Sequence, residues 1–139
     1  MNTRLSFLAV LAVLAIGAGF FAMPAVAQKI DATLSCKTTG TDFVYDCVIR
    51  LARGGQPLEG VTITIGADMP SMPMAHNVKP IKAAPGKRAG EYEAKLDLEM
   101  LGEWAVKLRL AGSVRDQLIL HYEFDEKGAQ AVESRGRRK

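Results

Sequence analysis

Residues 68–77 read Asp-Met-Pro-Ser-Met-Pro-Met-Ala-His-Asn and place Met69, Met72, Met74 and His76 within eight positions of one another. The whole chain has six methionines and two histidines, so this segment concentrates metal-binding side chains rather than sampling the composition. Thioether sulfur is neutral and polarisable and favours Cu(I) over hard ions, while imidazole suits either copper oxidation state. Pro70 and Pro73 exclude a helix, and the expected backbone is extended, with Met72, Met74 and His76 on one face at roughly 7 Å intervals. Two thioethers and one imidazole in that arrangement point to a site for copper as Cu(I). Met69 continues the apolar phase of the residues before it and serves packing at least as well as ligation. Met100 falls in an inward phase and reads as core. His121 lies opposite in phase to Leu120 and Tyr122 and reads as a surface residue.

Other chemistry finds little support, and the chain does not read as an enzyme. No C-x-x-C redox motif and no Gly-rich phosphate loop after a strand is present, and no Ser-His-Asp arrangement is suggested by placement. The two cysteines, Cys36 and Cys47, suit a disulfide in an oxidising compartment. A turn at Thr41-Asp42 would set them directly opposite each other across a hairpin, where a bridge stabilises by about 2 to 3 kcal/mol on the chain-entropy model. A dithiol that binds a soft metal is the alternative.

The elements that must position these residues are strands. Val61, Ile63, Ile65 and Ala67 alternate with Thr62, Thr64 and Gly66, and Tyr92, Ala94, Leu96 and Leu98 alternate with charged residues. Trp104, Val106, Leu108 and Leu110 form a third such set, and Leu118, Leu120, Tyr122 and Phe124 a fourth. Period-two alternation of this kind describes half-buried antiparallel strands, and Gly54-Gly55, Pro85-Gly86, Gly102 and Gly112 punctuate them as turns. The fold class expected is all-β, an immunoglobulin-like sandwich of about seven strands with Trp104 at its centre.

At the N-terminus Arg4 precedes an apolar run over residues 5–21, Pro24 ends it, and Ala25-Val26-Ala27 offers the small-x-small pattern of a signal cleavage site. The domain organisation expected is a signal peptide over 1–27, a sandwich domain over 28–125 and a disordered basic tail over 126–139. An uncleaved membrane anchor is the alternative reading of the first segment. Lys127, Arg135, Arg137, Arg138 and Lys139 crowd into the tail and account for much of the sequence pI of about 9.0. A basic tail without interleaved aromatics does not indicate nucleic acid, and membrane contact is expected only through this tail or an uncleaved signal. The localisation expected is periplasmic or secreted.

Three motifs occur in order: Met69-Pro70-Ser71-Met72-Pro73-Met74, then Pro85-Gly86 with Gly90-Glu91-Tyr92, then Met100-Leu101-Gly102-Glu103-Trp104. This ordered set over residues 58–124 resembles the FixH/YtkA-like family of small exported β-sandwich domains. Its members are similar to accessory proteins encoded with copper-transporting pumps and respiratory oxidase assembly factors. The resemblance therefore implies a role in copper handling, with a copper pump, an oxidase assembly factor or another envelope protein as partner. Two features depart from the family pattern: the cleavable signal, where FixH is anchored, and the cysteine pair. The function expected is a soft-metal binding protein acting as a metallochaperone or accessory factor. A metal-free interaction module of a cell-envelope complex, using the same methionines as an adaptable apolar contact, is the alternative from a different class. Mass spectrometry of the native protein should find Gln28, or its cyclised form, at the N-terminus; intact Met1 in the membrane fraction would refute cleavage.

Overall fold

The computed structural model describes residues 27–133, so the expected signal segment up to residue 26 and the last six residues lie outside the described part. The described residues form ten strands and no helix. One five-stranded sheet contains β1 (Ile30–Thr38), β2 (Val44–Arg53), β7 (Glu91–Asp97) and β6 (Ala84–Pro85) in that order, with β3 (Gln56–Pro57) also paired to β2. The other runs β10 (Ala129–Ala131), β9 (Asp116–Phe124), β8 (Gly102–Gly112), β4 (Val61–Asp68), β5 (Asn77–Lys82). All the pairings are antiparallel.

The alternating sequence phases decide which face of each sheet is dry. Tyr45, Cys47, Ile49 and Leu51 of β2 and Leu96 of β7 meet Ile63, Ile65, Trp104, Val106, Leu108 and Phe124 of the other sheet in a single buried cluster. Trp104 is fully buried and its Nε1 donates to the carbonyl of Met100 at 3.2 Å. Tyr45 packs edge-on against Phe124 with ring centroids 5.1 Å apart.

The three tyrosines tie the sheets together through their hydroxyls. Tyr45 of β2 donates to the carbonyl of Asp125 at 2.7 Å, beyond the end of β9. Tyr122 of β9 accepts from the amide of Leu34 in β1 at 2.9 Å. Tyr92 of β7 accepts from the amide of Val61 in β4 at 3.3 Å and donates to the carbonyl of Leu58 at 2.9 Å.

The first hairpin pairs Thr38 with Tyr45, which centres it on Thr41-Asp42 and sets Cys36 opposite Cys47. The two are joined in a disulfide with their Cα atoms 4.1 Å apart. The bridge leaves no free thiol among the described residues, so a dithiol metal site is excluded for this state.

One expectation is corrected. Order does not end at residue 126: the Asp125 carboxylate accepts from the amides of Lys127 and Gly128 at 2.8 and 2.9 Å, and β10 then pairs with β9. Gly128 also bridges to Lys37 of β1, so close that a Cβ on it would stand 2.4 Å from the carbonyl oxygen of Cys36. Only glycine fits there. Residues 77–82, which carry no clear alternation, form the edge strand β5, whose register on β4 shifts between Ile65 and Ala67. Lys79, Pro80 and Lys82 on this strand blunt its unpaired edge against further strand addition.

Burial raises the pKa of the Tyr45 hydroxyl above its ordinary value, and the charges of Asp125 and Glu126 add to the effect. The native state thus keeps a proton that the unfolded chain releases above about pH 10. Stability from this group is full below that pH and is lost as pH rises toward the folded pKa. Urea unfolding should show this alkaline decline, and Tyr45→Phe should flatten it while lowering stability at pH 7 by about 1 kcal/mol.

Candidate functional site

Antiparallel pairing alternates the chain direction, so the connections over residues 39–43, 69–76, 98–101 and 125–128 gather at one end of the molecule. Met69, Met72, Met74 and His76 lie in the second of these and Met100 in the third. His121 stands near the same end on β9, opposite Ala105 of β8, which in turn pairs with Asp68 of β4. Every methionine and both histidines of the described residues therefore belong to this end, termed here the Met pole.

The loop over 69–76 is not extended, which corrects the expectation that its prolines hold Met72, Met74 and His76 on one face. It is two successive tight turns closed by Met72 N to Met69 O at 3.1 Å and Ala75 N to Met72 O at 3.2 Å. Pro70 and Pro73 each take the second position of a turn, where the fixed φ of proline is suited. In the second turn Met74 has φ 78°, a left-handed conformation that such turns usually give to glycine. The amide of Met69 donates to the carbonyl of His76 at 3.4 Å and closes the loop at its base.

This folding separates the methionines by role. Met69 is buried, and its terminal methyl lies where a Cβ on Gly102 would meet it at 2.8 Å, so it packs against glycine backbone as a core residue. Met72 is 36% exposed and Met74 90% exposed. The Nδ1 of His76 is held by the carboxylate of Glu99 from the β7–β8 connection. Met100 packs against the core, as expected.

A shallow hollow on the outer face of β4, β8 and β9 is lined by Met69, Met74 and His121, together with Asp68, Ala105 and Ile119. Pro70 and Pro73 form its wall. Met72 and His76 do not line it. Asp68 is engaged by Lys107, and the Nδ1 of His121 lies 3.3 Å from the carboxylate of Glu103. Two methionines and a histidine among the lining residues are side-chain types that a soft ion prefers, and the Asp68 carboxylate beside them is paired with Lys107. Among the described residues no three His, Cys, Asp or Glu side chains are grouped to hold a harder ion.

His121 is the residue that reading by phase did not assign to the site. Its outward direction was legible, but Met74 reaches the same face only because the loop folds into turns over it.

A family model described as YtkA-like matches residues 25–109, more than half of the 139-residue chain. The chain belongs to the YtkA-like family. The YtkA-like match takes in the whole first hairpin with both cysteines and ends within β8, so it begins earlier and stops sooner than the three motifs imply. No curated protein and no solved structure matches the chain.

The left-handed backbone at Met74 gives a direct test of whether this residue serves folding. Glycine relieves a side-chain clash of about 1 to 2 kcal/mol there and loses part of that gain to greater freedom when unfolded. Met74→Gly should therefore melt at or above the parent temperature, and a clear loss of stability would show that Met74 is structural.

Proposed function

We propose that this YtkA-like domain is an exported, immunoglobulin-like carrier of Cu(I) that receives or hands on the ion at the Met pole and is not an enzyme. The observation that carries the reading is that Met69, Met74 and His121 are among the residues lining one open hollow, within an end that collects all the methionines and histidines of the described residues. Met74 and His121 are the exposed ligands of that set, and Met69 supplies its floor. Met72, on the same loop, stands close by in sequence, and His76 does not line the hollow. The strand orders β1-β2-β7-β6 and β9-β8-β4 support the immunoglobulin-like assignment, since they repeat the ABED and GFC orders of such sandwiches. The Cys36–Cys47 disulfide supports a periplasmic or otherwise oxidising location, and it leaves thioether and imidazole as the soft donors. The family resemblance makes a copper pump or an oxidase assembly factor the partner for transfer.

Competition against a chromophoric Cu(I) chelator should show about one equivalent bound, with sulfur scattering in X-ray absorption and much weaker retention of Zn(II). Met74→Leu and His121→Ala should each weaken Cu(I) at least about tenfold, the minimum that loss of mere supporting contacts causes at metal sites. His76→Ala should leave the affinity near that of the parent. A Met74→Leu/His121→Ala double variant that holds Cu(I) as tightly as the parent would sink the copper reading.

A further inference from the structure

The large apolar side chains that the described residues expose are Phe43, Met72, Met74, Leu101 and Ile119. The first four lie in the connections at the Met pole, and Ile119 lines the same hollow as Met74. They gather as an apolar band at this end. Phe43 and Leu101 border one depression with Asp42 and Glu126. Leu101 precedes Gly102, against which Met69 packs, and Met69 leads on to Met74 and Ile119.

Backbone conformation singles out the same end independently. Phe43 (φ 62°) and Met74 (φ 78°) are the non-glycine residues with left-handed backbone among the described positions. Bulky L side chains avoid this region, and folding alone favours glycine at both places. Each instead carries a large apolar group 38% and 90% exposed, respectively. Strain retained at two points that both present apolar surface to water indicates a use other than folding.

Charge selects what the surface fits. The connections at the Met pole carry Asp42, Glu99, Asp125 and Glu126 against Lys127. The connections at the opposite end carry Lys87, Arg88 and Arg115 against Glu59. An acidic rim around an apolar band attracts a basic surface and repels an acidic one. We propose that the Met pole is a docking face for a partner protein that presents an apolar patch rimmed by lysine and arginine. A second copy of this chain does not suit it, because a two-fold contact would set acidic rim against acidic rim. The docking face stands on apolar exposure, strain and charge, and it does not require the metal.

The test uses the 15N-labelled protein as exported, with a Cu(I) chelator present so that the outcome is independent of the copper reading. Three synthetic peptides of equal length serve as probes: alternating Leu/Lys, alternating Leu/Glu and alternating Ser/Lys. The Leu/Lys peptide should shift the amides of residues 41–43, 70–76 and 99–103, and its affinity should fall as salt is raised. Phe43→Gly and Leu101→Ser should each weaken it at least about tenfold, as loss of an interface anchor does. Phe43→Gly should melt no lower than the parent, which separates lost docking from lost folding. Equal binding of the Leu/Glu or Ser/Lys peptide, or shifts confined to another surface, would overturn the proposal. So would dimerisation through these same amides, or their protection by phosphatidylglycerol vesicles.

Discussion

Two sheets close over one apolar layer that contains Trp104, Phe124, Ile49, Leu51 and Leu108, and three tyrosine hydroxyls cross between the sheets at its margins. A fully buried large apolar side chain contributes about 1.5 to 3 kcal/mol, and a hydroxyl hydrogen bond about 1 kcal/mol. The layer therefore supplies most of the stability, and the tyrosines chiefly fix how one sheet lies on the other. That placement has a consequence for function. Once β4, β8 and β9 are set side by side, Asp68, Ala105 and His121 must form a row on the outer face beneath the loop over 69–76.

Between its anchors, buried Met69 and the Glu99-held His76, the loop is held by backbone rather than by packing. Its turn hydrogen bonds and the contact from Met69 N to His76 O fix the chain path, while Met72 and Met74 remain exposed. Phe43 is comparable: its carbonyl accepts from the amide of Leu98 at 2.8 Å, which ties the first hairpin to the end of β7 and leaves its ring partly in water. In both cases backbone bonds force a conformation that the side chain disfavours. The side chain is thereby aimed outward at a defined point on an otherwise rigid end.

The phases of the long strands were legible because period two survives wherever one face is buried, and the Cys36–Cys47 pairing followed from register alone. The edge strand β5 was not, since its burial is weak on both faces and Pro80 argues against a strand. β10 was hidden for another reason: three residues carry no period, and what orders them is the Asp125 turn and the close approach of Gly128 to Cys36. At the site, the metal-binding side-chain types were plain in the sequence, but their grouping was not. Proline is compatible with both extended chain and the second position of a turn, and nothing in Met-Pro-Met announces a left-handed residue where glycine is usual. The placement of Met74 and His121 on one hollow is a tertiary fact that no local pattern encodes.

Met74 belongs both to the hollow proposed for Cu(I) and to the apolar band proposed for docking, so the two uses must be coupled. One route is charge. Thioether and imidazole ligands are neutral, and loading adds one positive charge to an acidic-rimmed face. At about 10 Å in a water-like dielectric a unit charge changes the attraction of a basic partner by only about 0.4 kcal/mol. The other route is occupancy. A Met74 thioether drawn into the hollow to bind the ion is removed from the exposed band, and a buried apolar side chain of this size is worth about 1.5 to 3 kcal/mol. Competition for the Met74 side chain therefore outweighs charge, and under the proposed carrier role a partner that covers Met74 would weaken the grip on the ion during transfer.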